Sequence, residues 1–347
     1  MVGHLAALRS VPKLFSEATM KPVRIGVVGV GNFGRLHART LAGLAEAELV
    51  ALVDGRAERL AQLTQELPGV KGYADLGAAL RESDAAAWVV ATQTATHVPL
   101  AAQVLATGAS VLVEKPLAAD LASARSLAHL VAPESRNLML GHILLFASEF
   151  RSFIRETKQR DPLVYFHSFR HRPTTTADLF PGENPFRLLM VHDLYMAFVL
   201  AQGAEPVRAM GRLHPSAAGG FDLARGELEW ANGLWGSFTT SYLTPPGMAP
   251  DGFDRLEAFG KTWAARLEMN PRPFTLWSDR AEWPLALDID DDPAAPQGWM
   301  AEELRCFCRV VQGQAKVPFG ARYEDGLKIL GWLERLERSA ADDGAVC

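Results

Sequence analysis

The sequence predicts an α/β chain: a doubly wound parallel sheet comes first, then an α+β half built on a large, mainly antiparallel open sheet. Three observations predict it. Over residues 23–142, short and continuously apolar runs alternate with helical patterns. Beyond a connecting helix the runs lengthen, with Gly, Pro and Asn turns between them, and two long helical segments close the chain. Apolar runs without alternation belong to strands covered on both faces, as in a parallel sheet. Longer runs joined by turn residues fit antiparallel pairing.

In chain order, VRIGVVG, ELVALVD, AAWVVAT, SVLVEKP and NLMLGH read as strands, and the stretches after Asn32, Arg56, Asp75, Thr96 and Asp120 read as helices. A linking helix is expected over 148–160. The second half reads as the strands LVYFHSFRHR, EPVRAMGRLH, LARGELEWA, LWGSFTTSYL, DRLEAFGK and FTLWSD, with one helix around His192 among them. Helices over 299–311 and 323–338 follow. The expected organisation is an extension over 1–20, a nucleotide-binding domain over 21–142, and an α+β domain over 143–347 whose closing helices fall in 299–339.

At 347 residues the chain is long enough for two cores, and 48% apolar with 22% charged residues is ordinary for a packed soluble protein. Thirty-five Lys and Arg against 40 Asp and Glu leave a net charge of -5, so no basic field would draw nucleic acid or an anionic membrane. Cys306 and Cys308 point to different helix faces and Cys347 is terminal. Neither a zinc site nor a disulfide framework is expected, which suits a reducing cytoplasm. No apolar run reaches the length of a membrane span, and Arg9 and Lys13 break the first nineteen residues, a poor secretory signal. Met20 offers an alternative start, with an amphipathic targeting helix as the other reading of that segment. The acidic run DIDDD at 288–292 reads as a solvated loop and not a metal cradle, and no metal is expected.

The first strand runs straight into GVGNFG, with Gly29, Gly31 and Gly34 in G-x-G-x-x-G spacing around Asn32 and Phe33. Glycines there turn the chain tightly, let its amides approach a pyrophosphate and let the helix pack on the strand. The next strand ends in Asp54, twenty residues beyond Gly34, where a carboxylate can accept from both adenine-ribose hydroxyls. That carboxylate would repel a 2'-phosphate, so NAD is expected. Arg56, two residues on, could pair with such a phosphate, which keeps NADP as the alternative. In ATQTATH, Thr92, Gln93 and Thr94 fall in the crevice at the end of the fourth strand, and His97 begins or caps the next helix.

VLVEKPL at 111–117, taken with GVGNFG, ATQTATH, the FGK turn at 259–261, a His-Asp pair at His192 and Asp193, and the closing YEDGLKILGWLERLERSA, resembles the Gfo/Idh/MocA family of sugar and polyol dehydrogenases. The resemblance covers nearly the whole chain. It implies an NAD(P)-dependent oxidoreductase moving a hydride between nicotinamide and a secondary alcohol of a sugar, inositol or sugar derivative. Lys115 would stand beside the nicotinamide with Glu114, next to a peptide before Pro116 that is often cis, and would hold the hydroxyl and stabilise developing alkoxide charge. His192 would take the hydroxyl proton. Thr92, Gln93 and His97 would touch the cofactor. The resemblance also points to a homo-oligomer.

Two departures stand out. Family members commonly carry an Asp four residues before the motif histidine, one helical turn back, but position 188 is Leu. Tyr195 lies within reach on the same helical face, whereas Asp193 points about 100° away. Where relatives tend to have Arg before and Asn-Pro after a phenylalanine, this chain has Leu145, Ala147 and Ser148. His142 remains. In LVYFHSFRHR, Ser168, Arg170 and Arg172 share one strand face and His167 and His171 the other, so Arg170 and Arg172 are candidates for an anionic substrate site or for a solvated or interface face. The apolar departures leave two other readings open: a catalytically lapsed member that binds cofactor or sugar and regulates a partner, and a reductase of an imine or conjugated double bond. For His192 alone, a hydrogen-bonded core histidine is the other reading.

Overall fold

A computed structural model describes residues 21–347 apart from 181–182, 218, 246–251, 271–275, 278–280 and 283–288. The extension over 1–20, most of FTLWSD and Asp288 lie outside the described residues.

The first sheet holds β1 (Val23–Val28), β2 (Ala47–Val53), β3 (Lys71–Tyr73), β4 (Ala87–Val90), β5 (Ser110–Glu114) and β6 (Leu138–Gly141). Its order is β3-β2-β1-β4-β5-β6 and every pair is parallel. Helices precede β2, β3, β4 and β5, so all strand carboxyl ends meet at one edge. The order reverses between β1 and β4, which opens a crevice there. Burial of β4 and β6 is complete along their length, as their unbroken apolar runs require. Gly26 of β1 faces Trp88 of β4, and a Cβ on it would stand 2.3 Å from the fully buried indole ring.

The second sheet holds β7 (Tyr165–Pro173), β8 (Pro206–Pro215), β9 (Phe221–Trp230), β10 (Trp235–Thr244), β11 (Phe253–Phe259) and β12 (Ala264–Asn270). The order is β12-β11-β7-β10-β9-β8. All neighbours run antiparallel except β7 and β10 at the centre, which are parallel. Between those two strands the chain makes a long excursion through helix Val191–Leu200 and the β8-β9 hairpin, which brings β10 back in the direction of β7. β12 was not expected: Ala, Arg, Leu, Glu and Met favour a helix by propensity, and pairing with β11 overrides them.

The expected linking helix forms over Ser148–Lys158 and the closing helices over Gly298–Val311 and Tyr323–Ala341. The last lies directly on β8, where a Cβ on Gly211 would meet the Leu336 carbonyl at 2.0 Å. One continuous apolar core runs from Val27 and Leu41 through Phe146 and Phe150 to Phe166, Phe238, Met300 and Trp332, joining one face of the first sheet to the inner face of the second. Helix Val191–Leu200 sits within it, with eight of its residues buried. Asp290 lies in a two-residue bridge strand and Asp291 pairs with Arg39 at 2.6 Å. No helix among the described residues is long and apolar enough to cross a membrane.

Candidate active site

Gly29 has φ +85°, a left-handed conformation that favours glycine, and a Cβ there would meet the Ala91 carbonyl at 2.5 Å. A Cβ on Gly34 would stand 1.7 Å from the Gly29 carbonyl, so only glycine lets the helix Asn32–Gly43 close on the loop. Gly31 is different: a Cβ would meet nothing nearer than the Arg59 guanidinium at 3.4 Å. No side chain caps that helix, so its first amides and its partial positive end face a cleft of about 130 Å³ lined by Gly31, Asn32, Arg35 and Arg59. Asn32 and Phe33 are exposed at its rim. These features fit a dinucleotide pyrophosphate.

Asp54 follows β2. Its carboxylate accepts from the Val30 amide at 2.9 Å and from the Arg56 amide at 2.8 Å, which fixes it beside the glycine loop with lone pairs to spare. The Arg56 side chain is exposed.

At the end of β4 the helix begins at Thr94, with Gln93 at the cap but making no side-chain capping bond. The Thr92 hydroxyl accepts from Thr96 at 2.8 Å. His97 lies within the first turn, buried, its Nδ1 donating to the Pro116 carbonyl at 2.8 Å. It therefore clamps the β4 loop to the β5 loop and does not cap the helix. Burial lowers its pKa, so the ring is neutral.

Lys115 leaves the end of β5, and its peptide to Pro116 is cis. Its ammonium donates to the carbonyl of Leu188 at 3.2 Å. Burial lowers the lysine pKa to about 8 against the pull of Glu114. Leu188 belongs to a π-helical turn, Phe186–Met190, that leads into helix Val191–Leu200. Such wide turns inside helices are frequent at functional sites. One turn on, His192 is partly exposed, as are Leu188 and Lys115.

Tyr195 holds His192. The Tyr195 hydroxyl lies 2.9 Å from His192 Nδ1 and accepts from the Leu144 amide at 3.2 Å. The phenol ring stacks on His142 at 4.3 Å between centroids. His142 is itself fixed, because its Nδ1 donates to the Gly320 carbonyl at 2.6 Å. Burial depresses His142 to about 4. For His192, burial and then the charges of Lys115, Arg170 and Arg172 push the pKa well below its ordinary value, so the ring is neutral. His142 is buried beneath the site, a support for Tyr195.

Asp193 turns the other way, into the sheet. Ser168 donates to it at 2.5 Å and Arg170 at 3.2 Å. Arg170 also donates to Asp254 at 2.7 Å, and Arg172 donates to Asp254 at 2.6 and 2.9 Å. Burial raises the Asp193 carboxyl, with Arg170 and Ser168 opposing; burial also acts on Asp254, but its two arginines outweigh it and hold it low. Arg170 and Asp193 are thus engaged with each other inside the protein, while Arg172 keeps 17% of its side chain exposed. Ser168 and Arg170 are buried on the inner face of β7, and His167 and His171 lie on the outer one.

Four participants escaped the sequence reading. The Leu188 carbonyl is backbone, and no residue type advertises it. Asp254 gives no signal apart from its strand position. Glu303, on the apolar face of its helix between Met300 and Phe307, and His37, on the buried face after Gly34, were findable as polar residues on buried faces.

Residues 23–142 match the family described as oxidoreductase family, NAD-binding Rossmann fold. The UDP-N-acetylglucosamine 3-dehydrogenase of Acidithiobacillus ferrooxidans is 32% identical over 191 residues, 54% of this chain and 58% of that protein, so the chain spans little more than half of that relative in the match. The inositol 2-dehydrogenase of Rhizobium meliloti is 27% identical over 340 residues, covering 92% of this chain and 97% of the relative. The crystal structure of myo-inositol 2-dehydrogenase from Lactobacillus plantarum shares the fold, with a TM-score of 0.81 at 19% identity, over 94% of this chain and 99% of that one. Residues 23–142, with the Rossmann sheet and its glycine loop, are thus similar to the Gfo/Idh/MocA oxidoreductases, and the chain with its mixed open sheet shares the fold of the Lactobacillus plantarum enzyme.

Proposed function

We propose that this protein is a dehydrogenase moving a hydride between nicotinamide and a secondary alcohol or ketone of a sugar, inositol or sugar derivative. The observation that carries the reading is the bond from Lys115 Nζ to the Leu188 carbonyl, one turn before His192, which draws both candidate groups to one opening. The names of the relatives, inositol 2-dehydrogenase and UDP-N-acetylglucosamine 3-dehydrogenase, support the substrate class. NAD is the proposed cofactor over NADP, because the Asp54 carboxylate at the end of β2 would repel a 2'-phosphate.

Bound NAD would supply the hydride acceptor at the end of β5, near the switch point. Gly31 and the uncapped helix end behind it would hold the pyrophosphate, with Thr92 and Gln93 nearby; Glu114, expected beside the cofactor, instead turns its buried carboxylate to His37. The Lys115 ammonium holds the hydroxyl oxygen and stabilises the alkoxide as charge develops. His192, neutral in this environment, takes the hydroxyl proton on Nε2; Nδ1–H then donates to the Tyr195 oxygen, which keeps the ring in place. In the reverse direction the same nitrogen returns the proton. Tyr195 is buried behind His192, and an anionic group on the substrate would suit Arg172, which keeps part of its side chain exposed.

A second copy of the chain is proposed to cover the outer face of the second sheet, where Tyr165 packs against Trp235 and Phe259, the latter two 50% and 37% exposed. Sedimentation at rising concentration tests this, a monomer throughout being the contrary result. Three cysteines without a disulfide suit a cytoplasmic setting.

Nicotinamide absorbance during incubation with polyols, sugars and sugar nucleotides, in parallel with NAD and NADP, tests the function. Turnover with NAD supports it. The lapsed-binder reading, motivated by Leu188, predicts tight NAD binding with no turnover on any of them, and turnover with a carbonyl-free acceptor would instead indicate imine or double-bond reduction.

A further inference from the structure

Glu303, on helix Gly298–Val311, is fully buried, and neither of its carboxyl oxygens has a hydrogen-bond partner. One of its oxygens, a ring nitrogen of the fully buried His37 and an oxygen of Glu114 lie within 4.8 Å of one another. His37 Nδ1 is also without a partner. The cluster adjoins Lys115, since Glu114 directly precedes it and accepts from its amide.

Glu114 is differently provided. His37 Nε2 donates to its Oε1 at 2.8 Å and the Lys115 amide donates to its Oε2 at 3.2 Å. Gly141 on β6 leaves the space this carboxylate occupies, since a Cβ there would stand 2.8 Å from Oε1. Of two carboxyl groups close together out of water, the one with donors keeps the charge and the one without takes a proton. With Nε2–H turned to Glu114, His37 presents at Nδ1 a lone pair that has no donor. The Glu303 carboxyl lies within 4.8 Å of a nitrogen of that ring, near enough to reach the Nδ1 lone pair by a side-chain adjustment or through one water hydrogen-bonded to both groups.

We infer that Glu303 is a neutral carboxylic acid that donates to His37 Nδ1 and so braces, through His37 and Glu114, the backbone at Lys115: a positioning residue behind the active site. The order of donors is consistent throughout, from the Glu303 O–H to His37 Nδ1, from His37 Nε2–H to Glu114, and from the Lys115 N–H to Glu114. Ionisable groups interacting with Glu303 include Tyr195 on the His192 helix and Cys306 on its own helix; those interacting with Glu114 include Lys115, His97 and His142. Among these, Lys115 alone is a cation at neutral pH, and its neighbour in the cluster is Glu114. Burial, and then the charge of Glu114, raise the Glu303 carboxyl well above its ordinary value.

The positioning role rests on Lys115 acting in the reaction; the proton on Glu303 does not. Infrared difference spectra of the full chain against Glu303→Gln at neutral pH test the proton, and the expected result is a buried carboxylic-acid carbonyl band, shifted in deuterium oxide and missing from the variant. Its absence in the parent overturns the inference, as does a stoichiometric metal ion in the purified protein that Glu303→Gln loses. Kinetics test the brace. Glu303→Leu is expected to lower kcat about tenfold with the NAD KM unchanged, and Glu303→Gln, whose amide still donates to His37, to recover most of that loss. Equal kcat in Glu303→Leu and the parent overturns the positioning role even where the infrared band is present.

Discussion

Leu188 meets Lys115 through its carbonyl and not its side chain. A neutral carbonyl holds an ammonium less firmly than a carboxylate would, and with burial acting against the charge the lysine titrates near 8. The ammonium form is present below that pH and lost above it. The rate of alcohol oxidation, read as kcat/KM against pH, should therefore fall as pH rises through about 8. Leu188→Asp would add a negative charge that raises the lysine pKa and moves this limb upward. A limb that stays where it was would remove Lys115 from the titration. Lys115, His192 and Tyr195 were all legible as candidates in the sequence. What holds the imidazole was not, because the choice between Tyr195 and Asp193 depends on the Leu144 amide and on Ser168 and Arg170, which other segments bring in.

Helix Val191–Leu200 is fixed at both sides of His192. Tyr195 ties it to the segment after β6, and Asp193 ties it to β7 through Arg170 and onward to Asp254 on β11. Removing one partner of a buried pair leaves an uncompensated charge, which costs about 3–5 kcal/mol. Asp193→Ala should lower the unfolding free energy toward that range in a denaturant titration, the surviving Arg170–Asp254 bond holding it to the lower end. A loss below about 1 kcal/mol would contradict the anchoring role. At this scale the period-two pattern of LVYFHSFRHR correctly separated Ser168 and Arg170 from His167 and His171. The parallel pairing of β7 with β10 left no mark in either strand, since it follows from the path of the chain between them. β12 was hidden by helix-favouring residues whose strand state comes from the neighbouring β11.

Across the molecule the two sheets share one core, and His37, His97 and His142 are buried. His97, His142 and His192 all have pKa values lowered by burial, His142 to about 4. The unfolded chain takes up protons near pH 6.5 that the folded chain refuses until lower pH, so folding stability is lost as pH falls from about 6.5 towards 4. His142 alone contributes a loss of about 3 kcal/mol over that window. Thermal unfolding across this range should show Tm dropping, and a flat Tm would mean that these rings are solvated. The parallel sheet and its glycine loop were readable from the sequence because continuous apolar strands and fixed glycine spacing are local signals. The meeting of Glu303 with His37 and Glu114 was not, because three distant segments build it.

His192, held by Tyr195, is the group proposed to take the substrate proton. That role is tested most directly by His192→Ala, measured for kcat on a substrate the parent oxidises and for NAD affinity. The expected result is a kcat lower by roughly 10²- to 10⁴-fold with NAD affinity nearly unchanged. Equal kcat in variant and parent would contradict it.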